Sequence, residues 1–181
     1  MILNPRGNSF YFNFPRGFFP TRVTEKYLPY IKKQPIPFDT VDQYINSTIQ
    51  SVTFPSLALD SVEQVRKLGK KIAYKGSNPV QDLFSKEFSI NMKMTDGFMS
   101  YWIMLDTILD FVNFSNPDVF LVNLPIRIMD SQGGIVASVV FQEVLFTSFG
   151  EIELNYTSNN PQFSAFSVGF KCNYLDIKME I

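Results

Sequence analysis

Between Glu87 and Met94 every second residue is apolar. Phe88, Ile90, Met92 and Met94 alternate with Glu87, Ser89, Asn91 and Lys93. A period of two with a polar alternate side predicts a strand in a sheet covered on one face only. The same pattern recurs at Ser9–Phe14, where Phe10, Phe12 and Phe14 face away from Tyr11 and Asn13 until Pro15 ends the run. It returns in Phe120, Val122, Leu124, Ile126 and Ile128, in Ile152, Leu154 and Tyr156, and in Phe166, Val168, Phe170, Cys172 and Tyr174. Pro125 has no N–H for a ladder bond, so its strand is read as an edge or as bulged there. Ile135 to Phe146 reads as a further strand, stopped by Phe149-Gly150. Asp130-Ser131-Gln132-Gly133-Gly134 and Ser158-Asn159-Asn160-Pro161 are turns by composition.

One stretch breaks this period. From Asp96 to Val112 apolar residues fall at Phe98, Tyr101, Trp102, Leu105, Ile108, Leu109 and Val112. That spacing puts them on one helical face, with Thr95 or Asp96 as the cap. The stripe is expected to be the core face of a single long helix. On that reading Trp102→Ala costs about 3–5 kcal/mol through the cavity it leaves. Strands, one helix, then strands, joined by hairpin turns with no βαβ spacing, predict a mainly β fold. It is an antiparallel barrel or sandwich with one long α-helix packed on it.

Two stretches are irregular. Arg16–Asp39 holds four prolines together with Phe18, Phe19, Tyr27, Tyr30 and Ile31. It is expected to be a long loop laid against its own domain or a neighbouring subunit. Thr40–Thr48 suits a short helix capped by Asp39 or Thr40, with a strand as the alternative, and Gln50–Phe54 is extended up to Pro55. Leu57–Leu83 carries Arg66, Lys67, Lys70, Lys71 and Lys75 before the breakers Gly76, Asn78 and Pro79. This basic cluster reads as a solvated loop, a protein–protein contact or a phosphate patch. No stacking platform or glycine-rich phosphate loop accompanies it.

Composition narrows the function. The 181 residues are 45% hydrophobic, with 19 Phe, which excludes disorder along the whole chain and allows one domain with a real core. The formal net charge is −1, so no broad basic field grips nucleic acid. There is no histidine, which removes Ser-His and Cys-His catalysis and the usual zinc sites. Cys172 is the single cysteine; it is read as a buried thiol on an apolar strand face. No apolar run approaches the roughly 18 residues of a membrane span. The first residues have no signal-peptide layout, so a soluble intracellular product is expected. The carboxylate pairs Asp106/Asp110 and Glu151/Glu153 have nothing in sequence converging on them and read as solvated surface. No catalytic residue, metal or cofactor is expected, and a structural or binding role is favoured over an enzyme.

The order of these features resembles the phage tail-tube protein family, whose fold the type VI secretion inner tube shares. Gln50-Ser51-Val52-Thr53-Phe54-Pro55-Ser56-Leu57 is similar to that family's strand, proline and small-residue segment. Gly69 to Gly76 resembles the loop-to-strand segment that follows, and Phe88 to Met94 leading into the helix resembles the strand and lone helix. Glu143 to Tyr156, the Ser- and Asn-rich turn, and Phe166 to Tyr174 resemble the closing kinked strand, turn and last long strand. The resemblance covers roughly Gln50–Ile181 and the first strand. It departs at residues 16–48, which look like an insertion or extended loop in one domain spanning 1–181.

The resemblance implies a barrel with a helix on its outside, and subunits that form hexameric rings stacked into a tube for DNA ejection. Sheath, baseplate and tape-measure proteins would be partners, and DNA would pass the lumen without specific binding or any membrane contact. Such a protein sits in the virion tail and is assembled in the host cytoplasm. A baseplate, tube-initiator or adaptor module on the same barrel is the alternative. Polar Ser51, Thr53, Glu87, Ser89, Asn91 and Lys93 are then lumen candidates. The loop with Leu57, Leu59, Val62, Val65, Lys70 and Lys71 is the candidate for stacking on the next ring.

Overall fold

The computed structural model describes residues 10–55, 61–65, 71–75, 86–114, 121–130, 132–152 and 164–180. Strands β1 (Phe10–Phe12), β2 (Ile49–Thr53), β5 (Glu87–Lys93), β6 (Leu124–Met129), β7 (Ile135–Phe149) and β8 (Ala165–Met179) build one antiparallel sheet in the order β1-β6-β7-β8-β5-β2. Strands β3 (Ser61–Val65) and β4 (Lys71–Lys75) form a separate two-stranded hairpin. The helices are α1 (Thr21–Ile31), α2 (Val41–Asn46) and α3 (Met99–Phe114).

The sheet nearly closes on itself. Just past the β1 edge, the Phe14 N–H donates to Asn46 Oδ1 at 2.8 Å, at the end of α2 that feeds the β2 edge. Across the interior Phe88 of β5 stacks on Phe141 of β7 with centroids 4.0 Å apart, and Phe54 reaches the same ring at 6.1 Å. In β5 the alternation holds: Phe88, Ile90 and Met92 are buried, and Glu87 and Lys93 are exposed. Cys172 is buried, as its strand position requires.

β7 and β8 carry the longest ladder, and its irregularities are local. Glu143 has φ 51, and its carboxylate accepts from Asn173 Nδ2 at 2.9 Å. Up to it the buried apolar β7 positions are odd-numbered (Ala137, Val139, Phe141); Val144 beyond it is even. A bulge then follows between Phe146 and Ser148. Opposite it stands Gly169, where a Cβ would run into Ser148 Oγ. The strand through Pro125 starts later than its alternation suggests. Val122 is exposed, while Leu121 is buried and bridges to Val144. Pro125 pairs with Val140 of β7 but lies past the reach of β1, which pairs only with residues 126–128, so the strand is an edge on one side there.

Residues 16–39, read as a loop, contain helix α1. Its positions Val23, Tyr27 and Ile31 recur every four residues, with Val23 and Ile31 buried. Pro29 falls near the C-terminal end and, like Glu25, on the exposed side, so water can meet the carbonyl that loses its partner. Of the expected aromatic cover, Phe18 and Phe19 lie in the core of this same chain and Tyr27 packs against it, whereas Tyr30 is exposed. Phe12, Phe14, Phe18 and Phe19 form a ring cluster with successive centroids 4.4–5.2 Å apart, and Phe18 touches Phe146. Helix α2 starts as expected, with Thr40 Oγ1 accepting from the Gln43 N–H at 3.2 Å.

Helix α3 corrects the sequence reading most. Its buried residues are Ser100, Ile103, Met104 and Thr107, not the stripe counted from Phe98. Trp102 is 44% exposed, Leu109 47% and Val112 68%. A single 3₁₀ turn, Asp96–Phe98, with Gly97 and Phe98 at φ 68 and 56, swings the chain off β5 before the helix begins. The turn is tied back: the Ser100 N–H donates to Thr95 Oγ1, and Ser100 Oγ donates to the Lys93 carbonyl. Thr107 Oγ1 donates to the Ile103 carbonyl at 2.7 Å. These hydroxyls are satisfied within the helix or its cap, so they can be buried without loss. The helix packs on Phe146, Phe149 and Phe166 through Phe111 and Tyr101.

Candidate assembly surfaces

The polar side of β5 and β2 is the first surface. Ser51 stands opposite Asn91 and Thr53 opposite Ser89, and Asn91 Nδ2 donates to Ser51 Oγ at 2.9 Å. On the other flank β8 sets Ala165, Ser167, Gly169 and Lys171 against Lys93, Asn91, Ser89 and Glu87. All six residues proposed for a lumen therefore lie on one continuous face. It is small, hydroxyl-rich and of mixed charge, with Glu87 directly across from Lys171. A face of this kind has no run of cations that could hold a phosphate backbone.

The second surface is the β3–β4 hairpin, where an irregular loop was expected. Val65 pairs with Lys71 and Ser61 with Lys75. Lys71 Nζ lies 3.5 Å from Glu63 Oε2, so one lysine of the basic cluster is matched within the hairpin. Val65 and Tyr74 are exposed. Leu57, Leu59, Arg66, Lys67, Lys70 and the side chain of Val62 lie outside the described residues, as does the turn at 158–161.

The third is the seam between α1 and α3, which the sequence did not disclose. Asp106 accepts from Lys26 Nζ and, at 2.7 Å, from the Tyr27 hydroxyl; Arg22 lies 3.9 Å from Asp110. The acidic pair read as solvated surface is thus the seat of α1. Burial alone would raise the Asp106 carboxyl, but the hydrogen bonds from Lys26 and Tyr27 outweigh it and hold it below the usual carboxylate range. The hydrogen bond to Asp106 raises Lys26, and burial raises Tyr27. The basic residues of α1 lie some 80 positions upstream of the carboxylates they meet, so only the fold brings them together. The open cleft between the helices, about 210 Å³, is lined by these same paired groups. Among the described residues no three of His, Cys, Asp and Glu stand close enough to share a metal ion. No described helix is long and apolar enough to cross a membrane.

The sequence matches no family model and no curated protein. The fold does have relatives. A chain in the anti-feeding prophage cap, the AFP tube terminating cap, superposes with a TM-score of 0.55 at 10% identity, over 99% of this chain and 94% of that one. A chain in the anti-feeding prophage baseplate, solved with 6-fold symmetry imposed, superposes with a TM-score of 0.54 at 10% identity, over 98% and 97%. The chain has the tail-tube fold. At this identity the likeness is one of fold and transfers no residue roles. It spans both chains nearly end to end, so α1 and α2 lie within the superposed length. The tail-tube fold here consists of the near-closed six-stranded sheet, with α3 packed on it through Tyr101 and Phe111.

Proposed function

We propose that the chain is a structural, non-enzymatic subunit of the tube of a phage tail or phage-like injection particle. Copies would close into hexameric rings, and the rings would stack into a conduit. The observation that carries this reading is the near end-to-end fold match to cap and baseplate chains of one injection particle. The β2–β5 face would line the lumen, where its hydroxyls and mixed charges let DNA pass without being gripped. The β3–β4 hairpin, with Val65 and Tyr74 exposed, would reach the next ring. Sheath, baseplate and tape-measure proteins would be its partners in the tail, with assembly in the host cytoplasm. The lack of any histidine in the chain supports a non-catalytic role.

A second reading places the chain at an end of the tube, as a cap or baseplate ring. The two fold relatives described above come from a tube cap and a baseplate. Size-exclusion chromatography with light scattering, followed by negative stain, separates the two. A main tube protein gives a ring mass that grows into stacks as concentration rises. A tube-end protein stops at single or paired rings. A monomer at every concentration would contradict both.

A further inference from the structure

Among the described residues, two exposed apolar patches lie at opposite ends of the β7–β8 ladder. The first is the outward stripe of α3. Trp102, Leu105, Leu109 and Val112 are spaced three and four apart and so share one helical face. Leu105 is half-buried, and the other three are 44–68% exposed. This helix sits over Phe146, Phe149 and Phe166. The second is the far end of the core face. Strand β5 accompanies β8 only from Ala165 to Lys171; beyond that, among the described residues, β8 pairs with β7 alone. There Ile177 and Met179 stand opposite buried Val139 and Ala137, and are themselves 59% and 63% exposed, with Ile135 next to them on the same side of β7. Some ten residues of strand separate the patches, roughly 30 Å at the strand rise.

From these exposures each patch presents roughly 300 Å² of apolar surface, which is the size of the largest patch on a typical monomer. A chain with one such patch would pair it with itself about a two-fold axis. Two patches at opposite ends, of different shape, suit a head-to-tail contact, which closes into a ring when the rotation allows. We propose that the α3 stripe of one copy packs on the Ile135, Ile177 and Met179 end of the next copy. The partner is a second copy of this chain, so the contact rests on the ring reading above. Together the patches supply an apolar centre of roughly 600 Å². That is about half of the ~1,200 Å² at which specific interfaces begin, so polar surface around the patches has to complete the contact. Arg22, Asp106 and Asp110 supply polar neighbours beside the stripe, whereas Asp176 and Lys178 alternate with Ile177 and Met179 and face the other side of β8.

Two measurements on the full chain test this. Leu109→Lys and Ile177→Lys change exposed positions, so each should keep the parent's circular dichroism and thermal midpoint. Each should cut the ringed fraction at least tenfold by light scattering. Separately, Leu109→Cys and Ile177→Cys chains, differently tagged, are mixed and oxidised. Disulfide-linked dimers that contain one chain of each kind, and none from either chain alone, are expected. Leu109→Cys linking to itself, or rings that form without mixed links, would overturn the contact and leave the ring reading standing. A parent chain that forms no rings would overturn both. Should the lysine variants unfold, the cysteine mixture still decides.

Discussion

Gly169 is the residue where the long ladder is least forgiving. The bulge between Phe146 and Ser148 pushes Ser148 toward β8, and any Cβ at position 169 would strike Ser148 Oγ. Gly169→Ala should therefore destabilise by about 1–3 kcal/mol through overpacking. Ser148→Ala should restore much of that loss, because it removes the worst clash and leaves Thr147 Oγ1 at 3.1 Å and Ser148 Cβ at 3.3 Å. Urea denaturation of the two single variants and the double variant measures the coupling; simple additivity would refute it. This glycine sat in an alternating run and looked like an ordinary exposed strand position. Its constraint depends on a bulge in another strand, which no local pattern reveals. Cys172 was readable, because its burial needs only its place among Phe166, Val168 and Phe170.

At the scale of elements, α3 shows how far periodicity reaches. Its length and its contact with the sheet were visible in the spacing; its start, moved from Asp96 to Met99 by the 3₁₀ turn, was not. Nor was the face that turns inward, because both faces are apolar. The inward face is the less hydrophobic one by composition, with Ser100 and Thr107 able to bury their hydroxyls on nearby carbonyls. The expected cavity cost at Trp102 therefore moves to its neighbours. Met104→Ala should cost about 2–5 kcal/mol, whereas Trp102→Ala should cost under about 1.5 kcal/mol. Equal losses in chemical denaturation would show that the faces are assigned wrongly.

Helix α1 was missed because its prolines read as breakers, and because its cations find partners only across the fold. Its docking should titrate. The Asp106 carboxyl is held below its ordinary value, so its contribution is fully present above about pH 4 and is lost as the pH falls through the lower folded value. Lys26 is raised, so its share is lost only above the ordinary lysine range. Trp102, the one tryptophan of the chain, has its carbonyl 3.5 Å from the Tyr27 hydroxyl and reports on this seam. Its emission should shift in a step below about pH 4. Asp106→Asn should remove the step and lower stability by about 1 kcal/mol or less, as befits a largely solvent-screened pair.

For the whole molecule, one-sided alternation in β5 and β8 was enough to predict an antiparallel sheet with a polar outer face and an apolar inner one. The strand order was not legible, since hydrophobic period carries no information about which strand pairs with which. Nor was the hairpin at residues 61–75, where charge outweighs alternation. The six polar residues chosen from β2 and β5 do share one face, because register and period together place them there. In the proposed ring-forming tube subunit this face looks into the channel. An electron cryomicroscopy map of the purified, self-assembled protein tests this most directly. Sixfold rings, alone or stacked, are expected, with Ser51, Thr53, Glu87, Ser89, Asn91 and Lys93 around an open lumen. Monomers alone at high concentration, or rings in which this face points outward, would contradict it.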